Sequence, residues 1–197
     1  MHTTVSRRYL LQSAITMMAA ATVSGVSAMP VNTADPEPVL IPPGAGKKAK
    51  IGDSDIIFKL TSEQTSGNIG SVESVVPPGK LGAPPHYHQN FDEICIVLEG
   101  SLQIMVENKI YQADAGAWHL RPRGKVHTFW NNSKQPAKVI EIYSPAGHEK
   151  YMNELSDLFL NSHRPSAKEL QGLADRFDIH FRFDLLEKII KEQNVTL

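Results

Sequence analysis

The chain has 197 residues, a length that fits one domain with some appended structure and excludes two full catalytic domains. Hydrophobic residues make up 41% and charged residues 21%, with 20 Lys and Arg against 21 Asp and Glu, so the basic surplus that binding a polyanion requires is missing. A single cysteine, Cys95, excludes an intramolecular disulfide and a cysteine-rich zinc site, and leaves stability to a buried core.

Residues 1–28 read as an export signal. Arg7 and Arg8 precede a mild apolar stretch from Ala14 to Val26, too short and too rich in Ala, Ser and Thr to span a bilayer, and Val26-Ser27-Ala28 supplies the small residues of a cleavage site. The run Ser6-Arg7-Arg8-Tyr9-Leu10-Leu11 resembles the twin-arginine signal, which implies export of a folded protein to the periplasm. Cleavage after Ala28 removes two arginines and no acids, leaving 18 basic against 21 acidic residues, and no cysteine lies near that point to carry a lipid anchor.

Residues 29–50 hold Pro30, Pro36, Pro38, Pro42 and Pro43 with Gly44 and Gly46, and read as a linker or extended arm, because proline lacks the N–H that a ladder or helix needs. Residues 51–146 carry short apolar or alternating runs broken by Gly, Pro and Asn. Strands are predicted at Ile56–Leu60, Ser71–Val76, Glu93–Leu98, Leu102–Val106, Trp118–Arg121, Val126–Trp130 and Lys138–Tyr143. Many strands without a long helix argue for an all-β sandwich or barrel.

The segment Pro84-Pro85-His86-Tyr87-His88-Gln89-Asn90-Phe91-Asp92-Glu93 carries the chemistry. On a strand, His86 and His88 point the same way about 6.6 Å apart and can converge on one ion. Glu93 lies at odd spacing from His88, so a turn or bulge over Gln89–Asp92 has to reset the parity before Glu93 can reach the same ion. Farther on, Pro122 and Gly124 mark a turn, and His127 begins the next strand. In the run Trp118-His119-Leu120, the two apolar residues are expected to fill the barrel and His119 to face outward. Cys95 and Phe129 share the parity of Glu93 and His127; with Trp118 they are the candidate walls of a substrate pocket, although the favoured reading of Cys95 is a small buried hydrophobe.

From 147 to 197 the period becomes helical. Tyr151, Leu155, Leu158 and Phe159 form one stripe, and Ser166-x-x-Glu169 and Asp184-x-x-Glu187 read as capping boxes, giving a tail of three short helices packed on the barrel. His148, His163 and His180 are expected to be satisfied tail residues.

Gly79, His86, His88, Glu93 and Gly100 resemble the first motif of the cupin superfamily, with a first spacer one residue longer than usual. Gly116, Pro122, Gly124, His127 and Asn131 match its second motif, and fifteen residues separate the two. The resemblance implies a double-stranded β-helix, or jelly-roll barrel, over residues 51–146. It also implies a divalent transition metal (Fe, Mn, Ni, Cu or Zn) held by His86, His88, Glu93 and His127 near the barrel mouth. By the same resemblance the function expected is a dioxygenase of the quercetin-dioxygenase-like type acting on a small chelating organic substrate, with Glu93 as ligand or general base. The alternatives are a non-catalytic metal- or small-molecule-binding cupin, and an isomerase or decarboxylase. A homodimer that covers exposed strand edges is expected.

Overall fold

The computed structural model describes residues 37–161 and 165–197; residues 1–28, read above as an export signal, and His163 lie outside them. The strands, in chain order, are β1 (Lys47–Ile51), β2 (Ser54–Leu60), β3 (Gly70–Val76), β4 (Lys80–Leu81), β5 (His86–Tyr87), β6 (Asp92–Glu99), β7 (Ser101–Val106), β8 (Lys109–Asp114), β9 (Trp118–Arg121), β10 (His127–Asn131) and β11 (Ala137–Ser144). The tail adds α1 (His148–Asn161), α2 (Ala167–Arg176), a two-residue strand β12 (His180–Phe181) and α3 (Phe183–Gln193). All strand pairs within the two sheets are antiparallel. One sheet runs β1-β2-β3-β11-β6-β9 and the other β12-β5-β10-β7-β8, with β4 on β10.

Side-chain alternation explains the layering. On β11, Ala137, Val139, Glu141 and Tyr143 are buried while the residues between them are partly exposed, and on β6 the buried set is Glu93, Cys95 and Val97. With Leu102, Ile104 and Phe129 from the facing sheet, the aliphatic members of these sets form the barrel core. Gly100, at φ +73, makes the β6–β7 hairpin; a Cβ there would press into the backbone of Pro136 and Ala137, so the first motif needs glycine at its end.

All five residues of β10 are buried, because its second face is covered as well. Trp130 packs there against Leu81, Ile189 and Val195, which docks α3 on the outside of the sheet. A third apolar cluster joins Phe58, Val72, Phe91 and Tyr143 of the barrel to Tyr151 and Leu155 of α1 and Leu173 of α2. The helical stripe from Tyr151 is thus a core face, and the tail is packed on the barrel.

Several sequence expectations need correcting. The sheet starts at Lys47, so its first residues come from the segment read as the arm. β8 was not anticipated: its first four residues are all exposed, so it shows no buried alternation. The Ser166 box forms, with reciprocal bonds between Ser166 and Glu169. The Asp184 box does not, because α3 begins at Phe183 with Arg182 at the N-cap, two residues ahead of the start the box requires, and Asp184 turns back to pair with Arg182 at 2.6 Å. Among the described residues no helix is long and apolar enough to cross a membrane.

Candidate metal centre

His86 lies on β5, His88 just after it, Glu93 on β6 and His127 at the head of β10. Cross-strand pairing of His86 with His127 brings the two sequence motifs together. Gly124, at φ +72 in the turn before β10, donates its N–H to His88 O at 2.6 Å and ties the second motif to the first. The turn at residues 88–91 does reset the parity: Glu93 enters β6 facing inward, and one potential donor atom from each of the four residues lies within 4.8 Å of the others.

The imidazoles are oriented by backbone carbonyls. Nδ1 of His86 lies 2.8 Å from Pro84 O, Nδ1 of His88 is 2.7 Å from Phe91 O, and Nδ1 of His127 is 2.9 Å from Lys125 O. A carbonyl only accepts, so each Nδ1 carries the hydrogen and donates it, which leaves Nε2 as the atom free to ligate. Burial pushes His86 well below, and His127 below, the usual imidazole range, so both are neutral donors. Nε2 of His127 and of His88 sit 3.1 and 3.4 Å from Glu93 Oε2. Lone pairs from imidazoles and a carboxylate gathered out of water form a site that a cation satisfies, and three imidazoles with one carboxylate suit a divalent transition metal. The residues present therefore fit a metal ion. All four are at most 6% exposed, a closed setting that strengthens ligation.

Beneath the four donors lies a charged layer that sequence reasoning missed. Arg121 is fully buried; its Nη1 is 3.5 Å from Glu93 Oε1, its Nη2 pairs with Glu141, and its guanidinium stacks 5.0 Å from the Phe129 ring centre. Burial would raise Glu93, but the Arg121 charge and the contacts with His127 and His88 hold its carboxyl well below the usual carboxylate range. Glu141 goes the other way, raised by burial and by the neighbouring Glu93. A signal for it existed: Glu141 occupies an inward position of β11 among Ala137, Val139 and Tyr143.

The pocket residues divide. Cys95 and Phe129 point inward and are buried, though they belong to the packed core, and burial pushes the Cys95 thiol far up, away from reactivity. Trp118 is 69% exposed and Leu120 55%, so neither walls a pocket. Their strand has the opposite parity from that expected: His119 and Arg121 face inward because Arg121 has to reach Glu93 and Glu141, and His119 pairs opposite the inward Cys95. Burial lowers His119 to about 4.

His148 is no ordinary tail histidine either. It is buried at the start of α1, its ring centre 4.4 Å from Tyr143 and 6.4 Å from His88, with Nδ1 unpartnered, and burial lowers it to about 3. His180 is satisfied, as expected, stacking on Tyr87 at 4.7 Å and lying 2.9 Å from Asp178 Oδ1.

Residues 72–143 match the family model of the Cupin domain. The chain is 39% identical over 72 residues to germin-like protein subfamily 2 member 2 of Arabidopsis thaliana, a match covering 34% of this chain and 32% of that protein. It spans about a third of the length of the germin-like relatives it matches. Among solved structures, KdgF from Halomonas sp. superposes with a TM-score of 0.51 at 16% identity, covering 58% of this chain and 99% of that one. A predicted oxalate decarboxylase from Thermotoga maritima gives 0.51 at 16%, covering 54% and 99%. At such identity these two likenesses speak to the fold alone, and the fold they share is the double-stranded β-helix. The two motifs meet at one buried donor set on that barrel, inside the stretch of residues that matches the Cupin domain.

Proposed function

We propose that the chain is a metal-dependent cupin enzyme, a dioxygenase or related oxidoreductase acting on a small chelating organic substrate. The observation that carries this reading is the convergence of three carbonyl-oriented imidazoles and Glu93 Oε2 on one enclosed point. A divalent transition metal bound there polarises a coordinated oxygen and lowers its pKa. Glu93 would hold the ion through Oε2 or, when displaced from it, accept the substrate's proton there, while Arg121 keeps the carboxylate in place through Oε1. Phe91, Tyr143 and His148 exclude water from the side of His88.

Oxygen consumption by metal-loaded protein, measured with a panel of β-diketones and flavonols, tests the proposal. Uptake that His88→Ala abolishes is the expected result. Product without uptake favours an isomerase or decarboxylase, and binding without product a non-catalytic cupin.

Export and dimerisation belong to the same proposal. The paired Arg7 and Arg8 support twin-arginine export, and replacing both with lysine is expected to leave the protein in the cytoplasm. Trp118, Leu120 and Leu98 are exposed apolar side chains on β9, an edge strand, and its neighbour β6, which supports pairing with a second copy. Trp118→Lys is then expected to convert a dimer to a monomer in light scattering; a wild-type monomer removes that part.

A further inference from the structure

The backbone that carries His86 and His88 has little support from the barrel itself. β5 is two residues long and meets β10 at one pair, His86 with His127. One further barrel contact, the Gly124 N–H bond to His88 O, reaches this segment, and the tail supplies several more. Arg182 N–H donates to Pro85 O at 2.7 Å, Phe181 and His180 pair with His86 and Tyr87, and Asp178 Oδ2 accepts from both Gln89 N–H and Asn90 N–H, at 2.7 and 2.8 Å. Side chains follow the same register: the Phe181 ring centre is 6.3 Å from that of His86, and His180 stacks on Tyr87.

The Asp178 contacts fall on the turn that has to reverse the chain between His88 and Glu93. His88 donates to Phe91 O inside that turn, so a shift of residues 89–91 swings the imidazole. One carboxylate oxygen accepting two successive N–H groups fixes such a turn more firmly than water does. Asp178 itself sits at φ +58, a backbone conformation that residues other than glycine, asparagine and aspartate seldom adopt. Strain of that kind is retained where surrounding contacts hold it in place.

We propose that residues 178–182 act as a strap that sets the geometry of the two-histidine segment, with Asp178 as a positioning residue for metal binding. The helical tail is then part of the metal centre, although it contributes none of the four donors. This inference rests on the metal reading above and adds to it a claim about the tail.

The test uses the full chain loaded with zinc or cobalt. Asp178→Gly removes the carboxylate while relieving the positive φ, so backbone strain does not confound the result. It is expected to weaken zinc affinity, measured by competition with a chromophoric chelator, by about tenfold or more, the range typical of losing a partner that orients a ligand. It should also alter the visible absorption of the cobalt form. Asp178→Asn keeps an acceptor oxygen and tolerates the same φ, and is expected to recover most of the affinity and the wild-type cobalt spectrum. Asp175→Ala, at an exposed tail acid bonded to Gln171, is expected to change neither. Wild-type affinity in Asp178→Gly, an Asp178→Asn variant as weak as Asp178→Gly, or an equal loss in Asp175→Ala overturns the strap and leaves the metal reading standing. A wild-type chain that takes up neither metal overturns both.

Discussion

Arg121 and Glu93 face each other across β6 and β9, and the guanidinium Nη1 lies 3.5 Å from Oε1, the carboxylate oxygen turned away from His88 and His127. The two oxygens of Glu93 are thereby divided between an internal cation and the donor cluster. Glu141 holds the other arm of the same arginine.

Arg121→Met should therefore leave two buried carboxylates without their shared cation. Breaking a buried pair in this way costs about 3–5 kcal/mol. Arg121→Met with Glu141→Leu is expected to recover much of that loss in urea denaturation, because the pair is then replaced by apolar volume. A single variant as stable as wild type would mean that Arg121 does not compensate these acids.

Phe129 provides a packing test close to the centre. Its ring lies over Arg121 on one side, and a Cβ on Gly82 would run into it from another. Gly82 N–H also donates to Phe129 O at 2.8 Å, so the backbones cannot separate freely. Gly82→Ala is expected to destabilise by about 1–3 kcal/mol, and Gly82→Ala with Phe129→Leu by less than the two single changes added together. Additive melting shifts would contradict this.

Acid sensitivity away from the centre should come partly from Glu73, which lies 2.8 Å from Lys138 and 3.5 Å from Lys59 on the outer face of the first sheet. Burial would raise its carboxyl, yet the two lysines hold it below the usual value. Because the folded pKa is the lower one, the stabilisation is present above the unfolded carboxyl pKa and is lost as pH falls through the folded one. Glu73→Gln should lower stability at neutral pH by on the order of 1 kcal/mol. The difference from wild type should shrink in denaturation series carried toward pH 3, and a difference that stays constant would refute the assignment.

Three of the four donors were legible from spacing, since alternate positions on a strand and one turn limit where His86, His88 and Glu93 can point; His127 joins them in the sequence only through the resemblance of the second motif. Apolar alternation likewise revealed β6, β7 and β11. It misled at β9, where Trp118 and Leu120 look like core residues but the inward positions belong to His119 and Arg121. There a long-range ion pair outweighs local hydrophobicity, and its partner, Glu141, is twenty residues away. The Asp178 contact was hidden for a related reason, since it joins residues separated by 89 and 88 positions through backbone N–H groups that no side-chain pattern encodes. Asp184 shows the limit of a local motif: the capping spacing is present, but the helix begins two residues too early to use it.

Metal content per chain tests the central claim most directly. Protein purified with its metal retained, or reconstituted with a single divalent ion, should carry close to one equivalent by elemental analysis. His127→Ala should carry almost none while keeping the wild-type β-sheet signal in circular dichroism. Equal metal content in the folded His127→Ala variant, or a wild-type chain that binds none of the first-row ions offered, would contradict the account.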